Sequence, residues 1–152
     1  MASGFTQIGK LKVATQLLDL VTEASLKLVL VDATYTHDDT RDFVDDATAD
    51  DVASHEITTS GYVPGFAGAG RHTLDGRVLA RDGGDTEIEF DFTDETWTAL
   101  GTGVTIGGVA LVVEKTTDAD SWVVAYDDLT GNVATNNGDI VYQPSAEGML
   151  KF

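Results

Sequence analysis

The stretch Thr86-Glu87-Ile88-Glu89-Phe90-Asp91-Phe92-Thr93-Asp94, "TEIEFDFTD", sets Ile88, Phe90 and Phe92 against Glu87, Glu89 and Asp91. Successive side chains of a β-strand point to opposite faces, so this alternation describes a strand with one buried and one solvated side. Downstream, "WTAL", "GGVALVVEKT", "SWVVAYDDL" and "DIVYQP" continue the series, separated by the Gly-, Asp- and Asn-rich "GTG", "TTDAD", "TGNVATNNG" and "SAEG". Upstream, "HEITTSGYV" also alternates, and "GFAGAG" reads as a connection. The pair Asp75-Gly76 inside "RHTLDGRVLARDGG" is a hairpin-type turn signal between two short strands. Pro64 and Pro144 fall where a strand ends or runs along an edge. Short strands at this spacing predict a mainly β fold, an antiparallel β-sandwich of jelly-roll-like type.

The N-terminal part differs. Ile8, Leu11, Ala14, Leu17, Leu18 and Val21 follow a helical period, which predicts an amphipathic helix over residues 8–21. It lies within an N-terminal helical segment, residues 1–24, packed on the β domain. "LKLVLVDATY" then reads as a strand buried on both faces towards its end. After it comes "THDDTRDFVDDATADD", residues 36–51, with seven aspartates and one histidine. Phe43, Val44, Ala47 and Val52 mark the apolar side of one or two helical turns, with Thr40 as N-cap. The length of 152 residues fits one domain spanning 1–152.

The net charge is -17, from 19 Asp and 7 Glu against 5 Lys and 4 Arg. Such a field repels nucleic acid and anionic membrane surfaces, so neither is expected as a partner. The acids are spread along the chain, which suits a protein kept soluble at high salt; a halophilic source is the expectation, an ordinary acidic surface the alternative. There is no cysteine, which removes disulfides and thiolate metal sites. Lys10, Lys12, Asp19 and Glu23 interrupt the first apolar run, so neither a signal peptide nor a membrane span is predicted. Residues 1–31 and the closing "GMLKF" are less acidic than the middle and are expected to serve as docking elements.

Chemistry is harder to find. The candidates for a hard cation are Asp38, Asp39, Asp42, Asp45 and Asp46, because Ca²⁺ and Mg²⁺ take carboxylate oxygens. No EF-hand register fits. From Asp46 the sixth position is Asp51 rather than Gly, and from Asp45 two ligand positions are Ala47 and Ala49. His37, His55 and His72 lack metalloprotease spacing and read as surface or turn residues. "GFAGAG" lacks the Lys-Ser/Thr of a phosphate loop, and no G-x-S-x-G occurs. Trp97 and Trp122 read as core residues, with carbohydrate stacking as the alternative if a ring is exposed. No catalytic residue, resident metal or cofactor is assigned, and an enzyme is not expected.

The order of segments resembles a family of small virion proteins of tailed viruses, described as capsid decoration, head-fibre or minor structural proteins. The matching positions are Lys27 to Val31, Asp42-Phe43, Glu56 to Tyr62, Asp94 to Thr98 and Gly148 to Phe152. Residues 65–85, "GFAGAGRHTLDGRVLARDGGD", and the acid load depart from the pattern. The resemblance implies a structural role on the exterior of a virion head, as a decoration or a turret or fibre-base protein. Its implied partners are the major capsid protein or other virion proteins, with self-association as a trimer or pentamer. A tail component, or a carbohydrate-binding host-attachment module, is the alternative.

Overall fold

The computed structural model describes residues 3–14, 19–81, 88–145 and 148–151. The fold is mainly antiparallel β with a short N-terminal helix, as the alternating segments predict. Strand β1 (Ser3–Phe5) leads into helix α1 (Gln7–Ala14), and β2 (Leu26–Asp32) follows. After helix α2 (Val52–His55) come β3 (His72–Thr73), β4 (Val78–Arg81), β5 (Ile88–Asp91), β6 (Glu95–Trp97), β7 (Thr105–Val113), β8 (Trp122–Ala134), β9 (Ile140–Tyr142) and β10 (Leu150–Lys151). They form a five-stranded sheet ordered β1-β8-β7-β2-β3, a three-stranded sheet β10-β5-β4, and a pair β6-β9.

The centre is β2 against β7, in register from Leu26↔Val113 to Val31↔Gly108. Alternation sends Leu26, Leu28, Leu30, Val109, Leu111 and Val113 to one face, where they join Phe90, Trp97, Tyr142 and Leu150 of the smaller sheets, and Phe92 just past β5, in one apolar cluster. Val29, Val31, Ala110, Val112, Val123 and Tyr126 belong to a second cluster, closed by Tyr35, Val44 and Val52. The sheet is thus buried on both sides, which is why β2 reads as a nearly continuous apolar run. The cover on the second side is the acidic stretch itself.

Several boundaries differ from the sequence expectation. The helix is α1, and residues 19–22 form a turn where the 8–21 period predicts helix; Leu17 and Leu18 lie outside the described residues. Thr6 N-caps α1: its Oγ1 accepts from Gly9 N at 3.0 Å. The expected N-terminal helical segment opens instead with β1, paired to β8 from Ser3↔Asp127 to Phe5↔Ala125. Thr40 caps no helix; Asp51 caps α2, accepting from Ser54 N at 2.7 Å. "HEITTSGYV" is not a strand but a turn region with single bridges Val31↔Glu56 and Thr59↔Tyr62. Asp75-Gly76 does not close a hairpin, since β3 pairs with β2 while β4 pairs with β5. The turn carries the chain from one sheet to another. "TGNVA", read as part of a separator, is the outer end of β8, held by Ile106↔Val133 and Thr105↔Ala134. Local composition cannot report such pairing, because the hydrogen bonds come from a partner strand.

Both expected docking segments are built into the fold: residues 1–31 supply β1, α1 and most of β2, and the C-terminal segment supplies β10. β10 pairs with β5 through Leu150↔Phe90, and Met149 and Leu150 are buried. Among the described residues no helix is long and apolar enough to cross a membrane.

Candidate functional site

The acidic stretch is fastened by backbone as much as by apolar side chains. Val44 N donates to Ser121 O at 2.9 Å and Val123 N to Asp42 O at 3.0 Å, so residues 42–44 run as an irregular strand beside the start of β8. Val44 is fully buried, Phe43 half-buried and bridged to Trp122. The aspartates then turn onto their own loop. Asp38 Oδ1 accepts from Thr40 N at 2.9 Å and from Thr40 Oγ1 at 2.7 Å, which with the neighbouring Arg41 holds its carboxyl below the usual range. Asp45 Oδ1 accepts from Ala47 N at 2.8 Å. Asp46 is partly buried, and desolvation raises its carboxyl above the usual range despite Arg41. Asp39 and Asp42 serve the fold through their carbonyls, to Gln7 N and Val123 N. Among the described residues no three His, Asp or Glu side chains are grouped to hold a metal ion.

The strongest electrostatic feature lies elsewhere, around Arg71. Its guanidinium is fully buried. Nε donates to Glu56 Oε1 at 3.0 Å, and Nη2 to Glu56 Oε2 at 2.6 Å. Nη1 donates to Glu114 Oε1 at 3.1 Å and to Asp118 Oδ1 at 2.6 Å, and Nη2 also reaches Asp118 Oδ2 at 3.0 Å. All five guanidinium N–H groups therefore face carboxylate oxygens. Burial alone would lower the guanidinium's proton affinity, but bonds to Glu56 and Asp118 outweigh it and raise it. The carboxylates reach further. Tyr62 Oη donates to Glu56 Oε1 at 2.9 Å, Gly65 N to Glu56 Oε2 at 2.9 Å, and Ala67 N to Glu114 Oε1 at 3.0 Å.

The product of this network is the shape of "GFAGAG". Two loop amides are fixed on buried carboxylates, and Gly68 N and Gly70 N bond back to Gly65 O and Val63 O. The loop therefore presents Val63 (58% exposed) and Phe66 (41% exposed) on a rigid support. Sequence reading took this loop as a plain connection and missed Arg71, Glu56, Glu114 and Asp118. They lie 15 to 47 residues from Arg71, a separation at which no motif is visible.

The histidines and tryptophans are partnered. His72 stacks on Trp97 (4.6 Å between centroids, 21°), and its Nδ1 is 3.3 Å from Glu95 Oε2. Trp97 is buried, with Nε1 donating to Gly70 O at 2.7 Å. Trp122 is half-buried, with Lys12 Nζ and Lys115 Nζ each 4.3 Å from its ring centroid. His55 Nε2 lies 3.1 Å from Ala49 O, and its Nδ1 3.4 Å from Asp32 Oδ1. His37 stacks on Tyr126 at 5.0 Å and 23°.

No family model, curated protein or solved structure matches this chain.

Proposed function

We propose that this chain is a virion structural protein without catalysis of its own, bound to the major capsid protein on the exterior of a tailed-virus head. The virion context comes from the segment resemblance. The observation that supports an assembly role is the loop 63–67, where Val63 and Phe66 stand exposed while buried Glu56 and Glu114 hold the loop's backbone. An apolar tip held in one conformation loses little entropy on docking, and an aromatic side chain at its centre is the usual anchor of an interface. The acidic remainder of the surface disfavours the packaged genome and suits an outward position.

Self-association as a trimer or pentamer belongs to the same reading, with exposed Leu79 and Ile88, on one face of β4 and β5, as its apolar surface. The carbohydrate-binding alternative has less to rest on. Trp97 is buried under His72, and Trp122 already holds two ammonium groups.

The test is co-sedimentation with heads from which tails have been removed. The wild-type chain is expected to sediment with heads, and Phe66→Asp to stay in solution while keeping its circular dichroism spectrum. Binding to isolated tails and not heads overturns the head position. A halophilic origin is part of the proposal: the melting temperature is expected to rise with KCl as the charge of -17 is screened.

A further inference from the structure

Beside the acidic cover, a cleft of about 360 Å³ is lined by Tyr35, Thr36, His37, Tyr126 and Asp128. It is independent of the loop at Phe66. Tyr126 and Asp128 are two residues apart on β8 and so share a face of the sheet. Tyr126 lies over Gly108, where a Cβ would come within 2.1 Å of its Oη; the glycine makes room for the ring. Tyr35 meets Tyr126 edge-on at 5.1 Å and 68°, and His37 lies flat against it. The walls are thus three aromatic rings, with a carboxylate at the solvent side.

Two observations single this cleft out. Tyr35 Oη and His37 Nδ1 are buried without a hydrogen-bond partner, although Tyr35 is more than nine-tenths buried. Native proteins rarely leave such groups unpaired. Several carboxylates also lie near these rings, with Arg41 opposing them at Tyr35. Burial first, then Asp128, Tyr35, Asp127 and Asp32, raise the Tyr126 hydroxyl. Burial pushes Tyr35 up to about 12, with Asp38, Asp51 and Asp46 adding to it and Arg41 opposing. Burial lowers the proton affinity of His37 despite Asp39 and Asp38, which favours a neutral imidazole with a lone pair to offer.

We propose that this cleft is a binding site for a small organic cation with N–H donors, an alkylammonium or guanidinium compound. The ring faces attract the charge, Asp128 neutralises it, and Tyr35 Oη and His37 Nδ1 accept its N–H groups after a small opening of the wall. An anion is repelled by the surrounding carboxylates, and an apolar molecule leaves both orphaned atoms unpaired.

The test is an NMR titration of the intact protein with n-butylammonium chloride, KCl being withdrawn to keep ionic strength constant. Saturable shifts centred on Tyr35, His37 and Tyr126 are expected. Asp128→Asn is expected to weaken binding by about tenfold. Asp94→Asn, an exposed carboxylate outside the cleft, is expected to leave it unchanged. Tyr35→Phe is expected to weaken n-butylammonium but not tetramethylammonium, which has no N–H to donate. Shifts that do not saturate, or equal losses in Asp128→Asn and Asp94→Asn, show diffuse screening and overturn the site. Tyr35→Phe without effect on n-butylammonium overturns the role of the orphaned hydroxyl.

Discussion

Arg71 Nη2 lies 2.6 Å from Glu56 Oε2, with the two side chains 0% and 2% exposed. A buried ion pair contributes little against a well-packed apolar substitute, but removing one partner strands the other. Here three carboxylates would be stranded together. Arg71→Gln is expected to destabilise the fold by about 3–5 kcal/mol or more in urea unfolding. Arg71→Lys is expected to rescue only part of this, because an ammonium cannot present a planar five-donor fork. Hydrogen exchange at Gly65 N and Ala67 N should accelerate in both variants, since those amides hang on Glu56 and Glu114.

Helix α1 is seated on β8 by two small residues. Thr6 N donates to Val124 O at 2.9 Å, and Thr6 Oγ1 donates to Val123 O while capping Gly9. A Cβ on Gly9 would stand 2.3 Å from Val124 O, with backbone that cannot swing away. Gly9→Ala is expected to cost about 1–3 kcal/mol despite the better helix propensity of Ala. Thr6→Ala is expected to cost about 1–2 kcal/mol. Denaturant midpoints measure both; a stabilised Gly9→Ala would show that the helix stands off the strand.

His37 sets a pH dependence. Burial holds its imidazole below the ordinary 6.5, against Asp39 and Asp38. On acidification from 6.5 the unfolded chain takes up the proton first, so stability falls as pH drops towards the folded value and levels off below it. Above 6.5 both states are neutral and the group adds no slope. His37→Gln is expected to flatten this part of the stability-versus-pH curve, measured by urea unfolding at a series of pH values. An unchanged slope would assign it to another group.

Tyr35→Phe separates stability from binding. The hydroxyl is buried with no partner, so deleting it removes a desolvated polar group while the ring contacts with Tyr126, His37 and His55 persist. The expected gain is about 1 kcal/mol in thermal or urea unfolding. A loss of that size would mean that the hydroxyl is already satisfied in solution.

The outline of the fold was legible because its signals are local. Leu28 to Val31 read as a strand buried on both faces, and Ile88, Phe90 and Phe92 as the apolar side of a half-buried one; all are buried except Ile88, which stands 47% exposed at the start of β5. Phe43 and Val44 were readable as the inward-facing residues of the acidic stretch, but they sit in an irregular strand beside β8 rather than in the expected helical turns. Errors gathered where a hydrogen-bond partner decides the outcome. The Asp75-Gly76 pair has the local chemistry of a hairpin, yet its flanking strands belong to different sheets. "TGNVA" has loop composition, and β7 holds only its Val133 and Ala134 while residues 129–132 bulge out of the ladder with Gly131 at φ +88°.

The sequence by itself determined the class of the protein: antiparallel β, strongly acidic, with a short helix at its start. Periodicity and charge are properties of neighbouring residues and survive without coordinates. Only the tertiary structure decided what the polar residues do. Arg71 finds Glu56, Glu114 and Asp118 across 15, 43 and 47 residues, and Tyr35 meets Tyr126 across the face of β8. In both cases distant segments are brought together by the apolar packing of β2, β7 and β8, and the electrostatics follow from that burial.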